Sequence, residues 1–566
     1  MTQVSLQLEE AQQEADSLAQ DAARDPLSLE RPWRHLQLSA RVARARVESV
    51  LADFLGETPL PFPEDLEKTL SLVEAFVSFS SDLVIRRFHF RNGLAGAMAF
   101  INGMVDQRVV DQDLLVLLRE QEAPQETTLV SPIGQLSLEP HPPSLLLALL
   151  QGEVVVFCNG FSGGWHVDAK GFSKRSIEVA ETEQNQIGPK AAFVEDITTN
   201  MTLIRRHITS PSLRVKEMIL GKRSQTLCFL VYLSDVADPR LVAAIEARLA
   251  AIDTDVVLAA RQVTSFLRDR PWSLFPILAL SERPDWCAWQ IAGGRVVILV
   301  NGDPFAVIAP SVFWDFFRTA DDYTVDVWTA TFIRAIRYLG AVIGLLAPGL
   351  YVALINVHPE LIPVDLALAI VSSREGLPFP AYLEMALMLL AFELIREVSV
   401  RMPKVMGQTL GVVGGLVIGQ ASVQAGIISP LMVVVIAVTS LSVFVLPKFE
   451  MTSIWRILLW VGLALSSFLG LYGLTLFTIG LLFHLSALKS LGVPYLAPVA
   501  PWSHEALSDI LFRAPHRSFR FRPGIASPQD VQRASRYRQP FPHLSIPTEP
   551  DPPLPKGNTP QGRRRP

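Results

Sequence analysis

At 566 residues the chain is too long for a single hydrophobic core, and a prior of roughly 150 residues per domain divides it into three or four units. Its charge is mild, a formal −5 with 19% charged residues, so no nucleic-acid partner is expected. Three cysteines, Cys158, Cys228 and Cys287, show neither CxxC nor Cys/His metal spacing and read as buried, reduced thiols.

In chain order, residues 1–65 read as a polar helical extension. It lacks the basic start and short apolar run of a signal peptide, which keeps the soluble half in the cytoplasm. An α/β subdomain is expected over 66–187, opening on an amphipathic helix that gives way to period-two alternation. A connecting helix (188–209) follows, whose Asp196, Arg205 and Arg206 are placed to brace two units, and then a second α/β subdomain (210–315). Two matched blocks in the same order make these subdomains a repeat. Val105-Asp106-Gln107-Arg108 corresponds to Ala237-Asp238-Pro239-Arg240, and the run from Gly152 to Asn159-Gly160 corresponds to that from Gly294 to Asn301-Gly302. Asn-Gly is a strong hairpin signal, so each unit should end in a β-hairpin.

Residues 316–490 form a predicted transmembrane helical domain. Its aromatic and cationic entry, with Trp314, Tyr323, Trp328, Arg334 and Arg337, suits a headgroup layer. Apolar runs at 333–356, 381–398, 407–429, 431–446 and 457–485 are candidate spans, the last long enough that it must tilt or bend. A shorter run at 361–371 either crosses or re-enters, so four to six spans fit and the parity stays open. Positive residues near the span ends, among them Arg401, Lys404, Lys448 and Arg456, favour a cytoplasmic location for both termini. The segment 491–566 is rich in Pro and Arg and reads as largely disordered. The predicted fold class is therefore an α/β soluble domain of two tandem similar subdomains, followed by an all-α polytopic membrane domain in contact with membrane lipid.

Polar residues inside the apolar region carry the functional reading. Glu384, Glu393, Arg396 and Glu397 lie on one predicted helix at membrane depth, where an unpaired charge costs about 2.5–3.5 kcal/mol on insertion scales. Glu393 with Arg396 and Glu397 with Arg401 are spaced for local ion pairs, whereas Glu384 has no partner one turn away. Two readings fit: an interfacial helix with snorkelling charges, or an ion path or inter-subunit pair. Gly407, Gly411, Gly415 and Gly419 recur every four residues, a pattern for close helix packing. Gln408, Gln420 and Gln424 need partners or water in hydrocarbon, and Pro430 interrupts the segment, so they read either as packing contacts or as part of a polar path. No Walker loop, GxGxxG after a strand, HExxH or Gly-x-Ser-x-Gly occurs, and neither enzymatic activity nor a cofactor or metal is expected.

Several motifs together resemble the GerA family of spore germination proteins, over about residues 81–502. They are Gly188-Pro189-Lys190 through Phe193, Glu282-Arg283-Pro284-Asp285, Asn301-Gly302-Asp303-Pro304-Phe305, His358-Pro359-Glu360, Ser373-Arg374-Glu375-Gly376 with Pro378-Phe379-Pro380, Gly419-Gln420-Ala421 with Ser429-Pro430, and Leu491-Gly492-Val493-Pro494-Tyr495. The first departs from the family's usual Gly-Pro-Arg-Glu-Gly-Phe. The resemblance is to the A subunit of nutrient germinant receptors. It implies an oligomeric, ion-conducting subunit of the spore inner membrane that assembles with a transporter-like B subunit and a lipoprotein C subunit. The related stage V sporulation protein of the same family, a non-conducting scaffold and a transporter component are the alternatives.

Overall fold

The computed structural model describes residues 61–122, 128–131, 134–171, 180, 182–183, 187–402, 414–415, 418–502, 509–510 and 512–533. The first unit opens on α1 (Leu66–Phe76), capped by Asp65, whose side chain accepts from the Glu67 amide. Strands β1 (Leu83–His89) and β2 (Ala95–Ile101) form an antiparallel hairpin. A π-helical turn leads into α2 (Leu115–Glu120), followed by the small hairpin β3 (Thr128–Ser131) and β4 (Gly134–Ser137), then α3 (Pro142–Leu150), β5 (Val154–Cys158) and β6 (Trp165–Val167). The main sheet runs β1-β2-β5-β6. Alternation along β2 and β5 builds a core on each face. Ala97, Ala99, Val155 and Phe157 face Leu70, Val73 and Leu149, while Met98, Phe100, Val154 and Val156 face Val110, Leu114 and Leu118.

The second unit repeats this order except that a helix and an edge strand stand where the first has the β3–β4 hairpin. It comprises α4 (Ile197–His207), β7 (Leu213–Leu220), β8 (Thr226–Leu233), α5 (Pro239–Ala250), α6 (Ala260–Leu267), β9 (Ala279–Ser281), α7 (Pro284–Ala292), β10 (Val296–Val300) and β11 (Ala306–Ala309). Its sheet runs β7-β8-β10-β11-β9. The matched residues do the same work twice. Asp106 and Asp238 each accept from the amide two residues on, at 2.9 Å. Asn159 accepts from the Leu66 amide at 3.1 Å as Asn301 does from the Ile197 amide at 3.4 Å. The α4 helix, expected from sequence as a connector, thus occupies in the second unit the place of α1 in the first. Arg205 on α4 also joins the units: its Nε and Nη2 donate to the two carboxylate oxygens of Asp82 at 2.7 and 2.8 Å, with both side chains buried.

The helical region contains α8 (Val327–Val352), α9 (Val364–Arg374), α10 (Ala381–Arg401), a helical stretch at 418–424, α11 (Pro430–Phe444) and α12 (Phe449–Ala487). Among the described residues, two helices are long and apolar enough to cross a bilayer: α8 with the turn after it, mean hydropathy 2.0, and α12, mean hydropathy 1.9. The α12 segment is not straight. At Gly470 the backbone adopts φ 61° and ψ −139°, a region that glycine alone enters freely, and a Cβ there would stand 2.7 Å from His358 Nε2. The chain doubles back at this point. Trp455 and His484 both pack on Phe275, with ring centroids 6.3 and 5.9 Å away, whereas 29 residues of straight helix would separate them by about 44 Å. Each arm of the hairpin therefore returns to the second unit, and the run expected to tilt or bend at 457–485 does so by reversal.

Of the segment 491–566, expected to be largely disordered, residues 503–508, 511 and 534–566 lie outside the described residues, and the described remainder packs on the second unit. Tyr495 is fully buried and Ile510, Ile525 and Ala526 are nearly so, because the sheet and the aromatic 3-10 turn Phe313–Phe317 supply the apolar surface that the tail lacks on its own.

Two outcomes follow from this packing. Replacing Arg205 with Ala strands the Asp82 carboxylate and should destabilise the protein by about 3–5 kcal/mol, with Asp82→Ala in the same chain restoring much of the loss in a thermal melt. Burial pushes the thiols of Cys158 and Cys228 up to about 11 and about 12. Iodoacetamide at about pH 8 should therefore label them only after denaturation, since the thiolate is the reactive form; rapid labelling of the native protein, read by mass spectrometry, would contradict the burial.

Candidate functional site

The charged residues of α10 are deployed at two depths. Glu384, in its first turn, is fully buried. Its Oε1 accepts from Arg374 Nη2 at 2.8 Å and its Oε2 from the Ser429 amide at 3.2 Å. Ser429 in turn caps α11, its hydroxyl accepting from the Met432 amide at 3.3 Å, and Pro430 occupies the first turn of that helix, where its missing N–H costs nothing. One carboxylate thereby ties together the end of α9 and the starts of α10 and α11. Glu384 has no partner one turn away on its own helix, as its spacing implied; its partner comes from another helix. Tyr351 on α8 packs against this cluster; its hydroxyl and Arg374 Nη1 are buried without a hydrogen bond among the described residues.

Nine residues further along, Glu393 accepts both Nε and Nη2 of Arg456 on α12. This bidentate pair between helices replaces the local Glu393–Arg396 pair read from spacing. Arg396 instead lies over the Phe444 ring at 4.9 Å, while Glu397 and Arg401 do form the expected i, i+4 pair on the exposed face, at 2.7 Å.

Of the glycine ridge, only Gly415 and Gly419 are among the described residues. Gly407, Gln408 and Gly411 lie outside the described residues. Around a Cβ at Gly415 there would be open space, and at Gly419 the nearest atom is a Val433 methyl at 3.9 Å, so neither marks a close helix contact within this chain. Close approach occurs on α8 instead, where a Cβ at Gly344 would meet Val443 at 2.8 Å and one at Gly349 would meet Ser466 at 2.7 Å. Gly340-x-x-x-Gly344 was a visible signal of it. Gln420 and Gln424 are exposed on the outside of this single chain.

A second polar cluster, not singled out from sequence, joins α8 to the soluble part. Buried Asp322 accepts from Arg334 Nε at 3.0 Å and Arg337 Nη1 at 2.8 Å. Arg334 also reaches Asp509 at 3.1 Å, which takes the Tyr323 hydroxyl at 2.6 Å. Burial and the adjacent Asp509 push the Tyr323 hydroxyl well above its usual range, so it stays a donor. Arg334 and Arg337, which sequence placed in a headgroup layer, are thus occupied as ion-pair partners.

With this geometry in place, comparison with known proteins decides the family. The family described as "Bacillus/Clostridium GerA spore germination protein" matches residues 71–525. The chain belongs to the GerA family. Among relatives of this GerA chain, spore germination protein KA of Bacillus subtilis (strain 168) is 35% identical over 498 residues, covering 86% of this chain and 92% of its own length. Spore germination protein GerLA of Bacillus cereus is 38% identical, covering 80% and 93%. The uncharacterized membrane protein YfkQ of Bacillus subtilis (strain 168) is 33% identical, covering 85% and 95%. The crystal structure of the N-terminal domain of the A subunit of the Bacillus megaterium spore germinant receptor GerK3 aligns with 45% of this chain and 99% of that one, at 29% identity and a TM-score of 0.36.

Replacing Glu384 with Ala should strand the Arg374 guanidinium and lower the melting temperature of the detergent-solubilised protein, a loss of about 3–5 kcal/mol. The double variant Glu384→Leu/Arg374→Met should recover most of it. A double variant no more stable than the single one would show that the pair is not what joins α9 to α10.

Proposed function

We propose that this chain is the membrane subunit of a nutrient germinant receptor in the spore inner membrane, and that several copies form a gated ion path. The family and its germination relatives support the setting. The observation that carries the assembly is the outward exposure of Gln420 and Gln424, since amides at membrane depth require a partner, and a neighbouring copy supplies one. The role is non-enzymatic, with the transporter-like B subunit and the lipoprotein C subunit as the other components.

In this reading the helical region is polytopic. Successive segments run away from and back toward the soluble units: α8 outward, α10 inward, the span expected from sequence at 407–429 outward, α11 inward, and the arms of α12 outward and inward. Six crossings leave both termini on the cytoplasmic side. The short α9 stays at the distal surface, where Leu366, Leu368 and Val371 are exposed and Arg374 meets Glu384. The Glu384–Arg374 and Glu393–Arg456 pairs then hold a closed arrangement. A germinant opens it only by binding the open state more tightly, because equal affinity for both states shifts nothing.

Reconstitution of the complete receptor into liposomes tests this. Germinant-dependent cation flux is expected, with Gln420→Leu/Gln424→Leu reducing flux or assembly severalfold. Absence of flux from an intact complex would overturn the conducting role in favour of a scaffold, and saturable solute counterflow would point to a transporter component.

A further inference from the structure

We infer that a cavity between the second α/β unit and the C-terminal segment is a binding site for a small, multiply charged oxyanion bearing carboxylate or phosphate groups. The cavity encloses about 230 Å³, more than ten times what one water needs at roughly 10–15 Å³. Its walls carry Arg295, Arg318, Arg522 and Arg533 beside Trp289 and Tyr323, and Asp509 is the one acidic side chain among its described lining residues.

The charges of this wall are not balanced. Arg295 is matched by Asp315 at 2.7 Å, a carboxylate that also lies 3.9 Å from Arg318, and Arg522 by Asp530 at 2.6 Å. Asp509 is divided: it lies 3.6 Å from Arg318 and 3.1 Å from Arg334 while accepting the Tyr323 hydroxyl. Arg318 is only 7% exposed, and its Nε has no hydrogen bond among the described residues. A buried donor left unmade is costly, and more so when charged, which favours an acceptor entering the cavity. Arg533 stacks on the Trp289 ring at 3.6 Å and forms no ion pair among the described residues. Guanidinium groups present paired N–H donors that fit carboxylate or phosphate oxygens two at a time. Trp289 and Tyr323, with ring centroids 5.3 Å apart, offer an apolar wall to the body of such a ligand.

The site is made from two parts of the chain. Arg318 follows the 3-10 turn Phe313–Phe317 at the base of the helical region, whereas Arg522 and Arg533 belong to a strap held on the second unit by Arg522 Nε donating to Ala292 O at 3.0 Å and Gln529 N donating to Val236 O at 2.8 Å. An oxyanion bridging Arg318 and Arg533 fastens the strap over the ion-paired entry of α8.

Calorimetric titration of the full chain in detergent, at fixed ionic strength, with pyrophosphate and with citrate in separate runs, tests the site. Saturable binding of at least one is expected: pyrophosphate alone identifies a phosphate-bearing ligand, citrate alone a carboxylate-bearing one, and both the shared chemistry. Arg533→Ala should weaken it at least tenfold and Arg533→Lys by less, and the ligand-free melting temperature of each variant, measured alongside, separates loss of the Trp289 stack from loss of anion binding. No saturable heat from either anion, equal affinity in Arg533→Ala, or equal competition by chloride would overturn the assignment.

Discussion

One apolar core runs without interruption from the second sheet into the helices, and the arrangement of everything else depends on it. Val297, Leu299 and Val307 of the sheet, Phe313, Phe316 and Phe317 of the connecting turn, Ala341 and Leu345 of α8, and Trp455 and Phe477 of α12 belong to the same buried cluster. Protein interiors pack as densely as organic crystals, so a displacement at one end of such a core is felt at the other. The first unit has separate cores of its own and meets the second partly through the polar Arg205–Asp82 contact. The second unit is accordingly built as an extension of the helical region, and the first as an attachment to it.

Charge is used at the joints between these parts. Asp82, Asp322, Glu384 and Glu393 each bind arginines that are distant in sequence or lie on another element. Such pairs contribute little net stability relative to apolar contacts, yet breaking one leaves a buried charge that is expensive to hold. They therefore act on which elements meet more than on how tightly the whole folds. The large apolar contacts supply the cohesion, and the carboxylates select the register.

Much of the soluble fold was legible in the sequence because its signals are local. An Asp two residues before an amide it will cap, or Asn-Gly after a run of Val and Ile, constrains the backbone within a few residues, and the repeat doubled each signal. The partners of the α10 charges were not legible, since spacing along one helix says nothing about Arg374 or Arg456 arriving from elsewhere. For the same reason Glu393–Arg396 was a reasonable pair by distance along the helix and the wrong one in space. Four-residue glycine spacing was read at 407–419 and not at Gly340 and Gly344, where the described helices do approach closely. The reversal at Gly470 left almost no trace: an apolar run of that length reads as one helix unless the single positive φ is known. The packing of Tyr495 and of residues 512–533 was not legible because composition measures a segment's ability to make a core, not its ability to complete one.

That completion sets an order of events in biosynthesis. Gln529 Nε2 donates to Ala237 O across 292 residues of sequence, so the second sheet emerges from the ribosome long before the strap that will lie on it. Between the two comes the hairpin of α12, whose arms have to be threaded and turned back before residue 487 can return to Phe275. At translation rates of about 5–20 residues per second, the sheet, complete at Ala309, waits on the order of 10–45 seconds with the strap's docking surface open to solvent. Among the described residues the strap is the last element to be made, and its docking surface is complete only once both arms of the α12 hairpin have returned to the second unit.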